Sequence, residues 1–367
     1  MKKQVILSAT TFETELHKLL DDTQESRIFL VCGHSFEQQW VWPVLNACKH
    51  LSVFQAFEPN PSYESVVTGV RKFNEEQCNI IIAAGGGSAI DVAKCIKLFS
   101  NMDSTKSYLE QTIVANEIPF IAIPTTAGTG SETTSFAVIY QNGKKESVDH
   151  ESSIPDYVLM DGTLLNSLPL YQKKVTMLDA LCHGLESYWS VHSTTDSTSY
   201  SIEAIKGVMK NYKGYLENDE AGNEAMLYAA HAAGKAINIA KTTAAHAMCY
   251  KMTKLYNIPH GYSAMLCLIP LWEYMYGHME RCVDQRGKEY LMKRFTEIAE
   301  LLGCTSVDEA VVVLKNMLSE LSLCSEKRIA IEDIQVLIEN VNADRLGNNP
   351  ILLDEKAIQG IYETIIM

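Results

Sequence analysis

The pattern of secondary-structure signals changes once along this chain, near residue 161. Before that point, short apolar runs typical of strands alternate with amphipathic stretches typical of helices. Such alternation favours a mainly parallel sheet with helices on both faces. Beyond Pro169 the strand signals stop and only helical patterns follow. A chain of 367 residues is long enough for two domains. We predict an α/β domain over residues 1–161 and an all-α domain over residues 162–367.

Six strands are predicted in the first domain. They cover residues 28–32, 53–57, 79–84, 120–123, 136–140 and 157–160. The fifth is followed by Asn142-Gly143, a pair that strongly favours a two-residue hairpin turn. One antiparallel excursion from the parallel sheet is therefore expected.

Composition excludes several classes of function. The formal net charge is −14 and no basic run is present, which argues against a nucleic-acid partner. No stretch approaches the ~20 apolar residues that span a bilayer, and no signal-peptide pattern is found. We therefore expect no membrane contact and a cytoplasmic location. The ten cysteines form no Cys-x-x-Cys pair, so we expect reduced thiols rather than a thiolate zinc site.

A glycine-rich segment follows the third predicted strand. The apolar run ends in Gly85-Gly86-Gly87, and Ser88 then opens a helical pattern with Asp91 in its first turn. A strand, a tight turn and a helix N-terminus together form a common phosphate-binding arrangement, because backbone N–H groups there face the anion. The alternative is an ordinary βα turn. The functional interpretation makes Gly86, Gly87, Ser88 and Asp91 nucleotide-binding residues.

A second loop rich in small residues and hydroxyls follows the fourth predicted strand. It runs from Pro124 to Glu132 and contains Thr125, Thr126 and Thr129. We interpret these threonines as a second contact with the nucleotide. A flexible connection without a function is the alternative.

One carboxylate and three imidazoles in the second half of the chain could hold a metal ion. Asp179 and His183 are four residues apart, so on a helix their side chains lie on one face about 6 Å apart. His246 and His260 would be separated by roughly 21 Å on one continuous helix, but Pro259 breaks it and lets the second segment fold back. This ligand set suits Fe(II), Zn(II), Co(II) or Ni(II) better than Mg or Ca. The alternative is four unrelated residues.

These motifs, in this order, resemble the iron-dependent (group III) alcohol dehydrogenase family. The resemblance covers roughly residues 5–365. It implies a dehydroquinate synthase-like fold, NAD or NADP in the N-terminal domain, and a divalent metal, Fe²⁺ or Zn²⁺, in the helical domain. It also implies a homodimer that reduces a small aldehyde. The matching residues are Gly85–Ser88 with Asp91, the Pro124–Glu132 loop, Asp179, His183, Glu186, His246 and Pro259–Gly261, of which Asp179, His183, His246 and His260 would be the metal ligands.

One position departs from the family pattern. Many members carry a further histidine four residues after the third metal ligand, as part of a proton relay. Here that position is Tyr250. We therefore expect either Tyr250 or water to take the catalytic role of the relay.

A more local resemblance concerns the segment before His246. The sequence from Gly234 to His246 is similar to the phosphonoacetaldehyde reductase branch, which reduces phosphonoacetaldehyde to 2-hydroxyethylphosphonate. The interpretation is that Lys235 or Lys241, with Thr242 or Thr243, binds the phosphonate of the substrate. Lysines of this kind also commonly lie along apolar surface with only the amine in water.

Two further residues bear on the nicotinamide cofactor. A carboxylate after the first predicted strand would bind an NAD ribose and repel a 2′-phosphate. Gly33 stands there, and the resemblance makes it the discriminating position, so NADPH should be accepted beside NADH. The resemblance also places Lys145 near the cofactor phosphates, although a solvated surface lysine is the alternative.

Other functions remain compatible with the sequence. A general short-chain alcohol or aldehyde dehydrogenase would need no phosphonate contact. A metal-free lyase of the dehydroquinate-synthase-like group, or a non-catalytic nucleotide-binding protein, would need no metal. The four metal-ligand candidates argue against the last of these.

Overall fold

The computed structural model describes residues 3–21, 26–323 and 329–366. The chain forms two compact units, residues 1–168 and 169–367. They are described separately below.

The first unit is built on a six-stranded sheet whose neighbouring strands are all parallel. Its spatial order is β3-β2-β4-β5-β8-β1. A separate two-stranded ribbon pairs β6 with β7. The strands are β1 Val5–Leu7, β2 Ile28–Cys32, β3 Leu51–Phe54, β4 Ile80–Gly85, β5 Phe120–Pro124, β6 Phe136–Gln141, β7 Lys144–Asp149 and β8 Tyr157–Leu159.

Helices cover both faces of this sheet. Successive strand residues point to opposite faces, and both faces are buried here. One face packs against α3 and α4, and the other against α1 and α2. Strands buried on both faces are apolar throughout, which explains why β2 and β4 were predicted well. The helices are α1 Ala9–Asp21, α2 Val41–Asn46, α3 Tyr63–Glu75 and α4 Gly87–Phe99.

The predicted hairpin is present between β6 and β7. Asn142 has φ 51° and Gly143 has φ 78°. Positive φ at both central residues defines the type I′ turn, whose twist matches that of the flanking strands. Lys145 lies opposite Tyr140 in this ribbon.

Three strands differ from the prediction, each for a physical reason. β3 starts two residues earlier than expected, because Leu51 already pairs with Ile28. β1 was missed because it has only three residues, of which only Leu7 is buried. β7 was missed because only Val148 among its residues is buried, so it carries almost no apolar signal.

The second unit is helical, which confirms the predicted fold class. Within its described residues, extended pairing is limited to a single bridge between Cys282 and Ile351. The helices are α5 Leu170–Trp189, α6 Thr195–Leu216, α7 Glu220–Ala240, α8 Ala244–Tyr256, α9 His260–Gly277, α10 Lys288–Leu301, α11 Val307–Leu321, α12 Ile334–Glu339, α13 Ala343–Leu346 and α14 Glu355–Ile366.

Two global expectations can be compared with the described residues. None of the helices found there combines the length and the apolar character needed to cross a bilayer. The nine cysteines that lie within those ranges are all free thiols. The tenth, Cys324, lies outside the described residues.

Candidate metal centre and nucleotide-binding loops

Helix α5 carries two of the predicted ligands on one buried face. Asp179 and His183 are one turn apart, and Glu186 follows at the next turn of the same face. Residues separated by three or four positions are neighbours on a helix surface. All three side chains are buried. The spacing seen in the sequence therefore produces a row of ionisable side chains along the buried face of α5.

The other two predicted ligands come from separate helices, as the proline pattern indicated. His246 lies in the first turn of α8. That helix ends at Tyr256, and Asn257 then takes the left-handed conformation with φ 54° and ψ 34°. Pro259 follows, and α9 begins at His260. The reversal brings His260 back toward His246, with ring centroids 5.2 Å apart.

The three imidazoles converge on the carboxylate of Asp179. The distance from its Oδ1 atom is 3.5 Å to Nε2 of His246 and 3.7 Å to Nε2 of both His183 and His260. Nitrogen and oxygen ligands about 2.1 Å from a tetrahedral metal ion lie roughly 3.4 Å apart. The possible ligand atoms of Asp179, His246 and His260 also lie within 4.8 Å of one another, so these three residues fit a single ion, while His183 falls outside that group.

Oδ1 of Asp179 and Nε2 of His246 are among the buried atoms that have no hydrogen-bond partner in the described part of the chain. Buried polar atoms without partners are costly. A cation in contact with both atoms would remove that cost, so the residues fit a metal ion.

Glu186 orients His246 from the side opposite Asp179. Its Oε2 atom contacts Nδ1 of His246. Its Oε1 atom accepts hydrogen bonds from the backbone N–H of Thr243 at 2.9 Å and from the Thr243 hydroxyl at 2.8 Å. A carboxylate on one ring nitrogen fixes the tautomer and leaves the other nitrogen free to bind a metal. In the sequence, Glu186 stands out only as part of the family motif, although its seven-residue spacing from Asp179 places it on the same helix face.

The charges in the cluster shift the pKa values of its members. Burial alone lowers the pKa of His246, but the carboxylate of Glu186 and the contact with Asp179 raise it to about 10. Burial raises the pKa of Asp179, yet the charges of His183 and His260 and the contact with His246 hold it below its ordinary value. The site therefore favours a net positive charge between these residues, supplied by a proton or a cation.

Gly261 explains how α9 comes so close to α5. A Cβ atom at this position would lie 2.1 Å from the carbonyl oxygen of Val175 and 2.7 Å from the backbone nitrogen of Asp179. Real side chains do not tolerate such distances from backbone atoms. Glycine after His260 is therefore required to place that imidazole beside Asp179.

The predicted nucleotide residues of the first unit lie at the point where the strand order reverses. The connection after β2 returns through α2 on one face, and the connection after β4 returns through α4 on the other. Ligands of open α/β sheets commonly bind in the crevice at the carboxyl ends of such strands. β2 and β4 are neighbours there, with Cys32 opposite Ala84. Gly33 and Gly85–Gly87 are consequently adjacent.

The glycine-rich turn and the threonine loop pack directly against each other. A Cβ atom on Gly86 would lie 3.1 Å from the side chain of Thr126, and one on Gly87 would lie 3.0 Å from that of Thr129. Gly85 has φ +154°, a conformation that favours glycine. The structure thus brings together the two segments that the sequence analysis assigned to a nucleotide, along with Thr125, whose N–H donates to the carbonyl of Gly85.

A buried hydrogen-bond network around Asp91 and Lys94 supports these loops. Asp91 on α4 accepts hydrogen bonds from the Ser131 hydroxyl and from the N–H of Val138. The buried amine of Lys94 donates to Ser131, Thr134 and the carbonyl of Phe136. Burial lowers the pKa of Lys94 to about 8. Both oxygens of Asp91 are used within the protein, so its observed role is to position the loops, and its contact with a cofactor stays a prediction.

The remaining predicted nucleotide residues are half-buried. The Ser88 hydroxyl accepts a hydrogen bond from the backbone N–H of Asn60 at 3.3 Å. The charge of Lys145 reaches Asp91 and opposes the effect of burial on the pKa of that carboxyl. Lys145 therefore lies near the α4 carboxylate that positions these loops, and its contact with a nucleotide is a prediction.

The predicted substrate residues lie at the end of α7. The amine of Lys235 is 5.5 Å from the ring centroid of Tyr200. Lys241 is the residue that ends the helix, and Thr242 is buried behind it. Tyr250, the predicted catalytic residue, stacks on His260 with ring centroids 5.7 Å apart and an angle of 5° between the planes.

Both units of the chain match known protein families. Residues 4–162 match the family described as iron-containing alcohol dehydrogenase, and residues 173–366 match the C-terminal domain of the Fe-containing alcohol dehydrogenase family. The two matches together cover both units.

Individual relatives carry more specific names. The probable alcohol dehydrogenase EutG of Escherichia coli is 34% identical over 268 residues, which are 71% of this chain. The match spans 64% of the EutG protein, which is less than two thirds of its length. The phosphonoacetaldehyde reductase of Streptomyces viridochromogenes is 26% identical over 348 residues, 90% of this chain and 88% of that protein. The solved structure of sulfoacetaldehyde reductase from Bifidobacterium kashiwanohense with NAD⁺ has a TM-score of 0.87 and 25% identity, covering 100% of this chain and 98% of that one.

Proposed function

Because this chain belongs to the iron-containing alcohol dehydrogenase family, a family of nicotinamide-dependent oxidoreductases, we propose that it reduces a small aldehyde bearing an anionic group to the primary alcohol. The substrate that we propose is phosphonoacetaldehyde, with 2-hydroxyethylphosphonate as the product. The proposed cofactors are one divalent metal ion, Fe²⁺ in preference to Zn²⁺, and NADPH or NADH.

The convergence of three imidazoles on Asp179 carries this proposal. Asp179, His183, His246 and His260 would hold the metal. When bound, a divalent metal acts as a Lewis acid and stabilises the negative charge that develops on the carbonyl oxygen during hydride addition. Elemental analysis of protein purified without oxygen, combined with oxidation of NADPH and NADH over a panel of aldehydes, tests both parts of the proposal.

The chain's own residues bind and orient the reaction partners. Asp179 contributes the negative charge that favours a cation. Glu186 binds Nδ1 of His246 and thereby keeps Nε2 of that ring directed at Asp179. The glycine turn after β4 presents backbone N–H groups at the N-terminus of α4, where a cofactor phosphate would be bound. Tyr250 is the proposed proton donor, since its ring lies against His260.

Cofactor choice should respond to a charge at Gly33. The position accepts a side chain, since a Cβ atom there meets nothing within 4 Å and its φ of −82° suits any residue. We expect Gly33→Asp to raise the KM for NADPH roughly 10-fold or more relative to that for NADH, because like charges repel. Gly33→Asn has nearly the same shape without the charge and should leave the ratio of the two KM values near that of the wild type. Equal responses to NADPH and NADH in the aspartate variant would remove Gly33 from the cofactor site.

The backbone at Lys241 supports a functional lysine at the end of α7. Its φ of 61° and ψ of 169° fall in a region that glycine alone adopts easily. The Ser190 hydroxyl holds the carbonyl of Ala240 at 2.6 Å, and the Asn348 amide holds that of Thr242 at 2.9 Å. Such a conformation costs about 1–3 kcal/mol for a residue with a side chain. A side chain needed for substrate binding would offset that cost, which is why we prefer Lys241 to Lys235 as the main anion contact.

Replacing Lys241 should therefore separate charged from neutral substrates. Lys241→Ala should lower kcat/KM for phosphonoacetaldehyde by about 10- to 100-fold, the effect of losing one charged hydrogen bond. The value for butyraldehyde should barely change. Lys241→Gly should show the same selective loss and also raise the free energy of unfolding by about 1–3 kcal/mol, since it relieves the backbone strain.

The exposed Lys206 on α6 offers a control, and Lys206→Ala should leave both substrates unaffected. Equal losses on the charged and neutral aldehydes in Lys241→Ala would assign Lys241 a structural role. The phosphonate proposal would then lose its support from the structure.

A second candidate is a general short-chain alcohol dehydrogenase. The relatives with this kind of name include an NADPH-dependent butanol dehydrogenase from Clostridium saccharobutylicum. The acidic chain, with a net charge of −14, also disfavours an anion unless lysines bind it locally. Equal kcat/KM values for butyraldehyde and phosphonoacetaldehyde in the wild-type enzyme would favour this candidate.

A further inference from the structure

The four side chains of the cluster differ in how freely they can move. The side chains of His183, His246 and Asp179 are 7%, 2% and 6% exposed, but that of His260 is 38% exposed. His246 is also held by Glu186. His260 stands at the start of α9, and its imidazole is the most exposed side chain of the four. A bound cation would therefore leave, or arrive, on the side of His260.

Two consecutive residues of α8 hold this exposed imidazole. Cys249 donates its S–H to the carbonyl of His246 at 3.4 Å, which leaves the sulfur as an acceptor for Nδ1 of His260 at 3.6 Å. With its Nδ1 proton directed at the sulfur, His260 presents Nε2 to Asp179. Cys249 thus links the backbone of His246 to the side chain of His260.

Tyr250 supports the face of the same ring. Its ring plane is within 5° of that of His260. Aromatic pairs of this kind stabilise each other beyond the effect of the area that they bury. Rotation of His260 away from Asp179 would break both the contact with Tyr250 and the hydrogen bond to Cys249.

We propose that Cys249 and Tyr250 are positioning residues that hold His260 against the cluster and thereby set the rate at which the cation is released. This inference rests on the proposed metal-binding role of the cluster. It gives the ring of Tyr250 a function that does not depend on its hydroxyl group.

The test is the rate at which Co²⁺-loaded protein loses its metal to an excess of EDTA. Cys249→Ala and Tyr250→Ala should each release Co²⁺ about 3- to 10-fold faster than wild type, as expected for the loss of roughly 1 kcal/mol of retention. Cys249→Ser keeps an acceptor and Tyr250→Phe keeps the ring, so both should release it at close to the wild-type rate. Cys267→Ala is a matched control, because that buried thiol contacts the sulfur of Met252 at 3.5 Å.

Each outcome decides one point. Wild-type release from an alanine variant would overturn the role of that residue, and equally fast release from Tyr250→Phe and Tyr250→Ala would exclude the stacking contact as the cause. Failure of the wild-type protein to bind Co²⁺ would instead reject the proposed metal site itself. Unchanged circular dichroism spectra would show that the variants compared are folded.

Discussion

Replacing His246 by alanine should remove metal binding and lower kcat for aldehyde reduction by about 1000-fold or more. A Lewis acid stabilises the transition state by several kcal/mol, and ~4 kcal/mol corresponds to roughly 1000-fold in rate. The substitution also leaves the buried carboxylate of Glu186 without its main partner. Elemental analysis gives the metal content, and steady-state kinetics with saturating NADPH gives kcat.

Two companion variants separate ligand loss from unfolding. His260→Ala removes the exposed imidazole and leaves Glu186 and His246 paired, so it should lose activity while remaining folded. His192→Ala removes an exposed histidine from the turn after α5 and should retain both metal and activity. Wild-type metal content in His246→Ala or His260→Ala would show that the assignment of these ligands is wrong.

Adding a single methyl group at Gly261 should be nearly as damaging. The new Cβ would meet the carbonyl of Val175 at 2.1 Å and the backbone of Asp179 at 2.7 Å, and neither backbone atom can move alone. We expect Gly261→Ala to push the start of α9 away from α5 and to carry His260 with it. The free energy of unfolding should fall by about 1–3 kcal/mol or more, and the metal content should fall with it.

The other end of the same helix provides the control. Gly277 closes α9, and a Cβ atom there meets nothing within 4 Å. Gly277→Ala should therefore leave the metal content unchanged in the same elemental analysis, and the free energy of unfolding should not fall. If both alanine variants behaved alike, the close approach of α9 to α5 would not be what positions His260.

The cluster was predictable where local spacing decides the geometry. Asp179 and His183 share a helix face by their separation alone, and Pro259 signals the reversal that returns His260. The partners of the imidazoles were not predictable in this way. Glu186 meets His246 across sixty residues, and Cys249 meets His260 because α8 and α9 fold back on each other. Such pairs depend on tertiary packing, which the residue pattern does not encode.

The strands of the first unit also differ in how far their own residues predict them. β2 and β4 are apolar on both faces, so their sequences predict buried parallel strands. β1 and β7 are short or mostly exposed, and their pairing depends on the neighbours β8 and β6 rather than on their own residues. The strained backbone of Lys241 could not be predicted from the sequence either. It follows from hydrogen bonds that Ser190 and Asn348 donate to the carbonyls of the two flanking residues, Ala240 and Thr242.

The buried brace of Asp91 and Lys94 has a consequence for how the nucleotide loops open. Loops are usually the first parts of a protein to exchange their amide hydrogens with solvent. Here, separating the threonine loop from α4 would break the bonds of a fully buried amine to Ser131, Thr134 and Phe136. Local opening of the threonine loop therefore requires that the charged amine of Lys94 either becomes exposed to water or stays buried without its hydrogen-bond partners. The amide hydrogens of the threonine loop should therefore exchange together with those of α4, as one cooperative segment. The glycine-rich turn and the threonine loop should already have their nucleotide-binding conformation before a nucleotide binds.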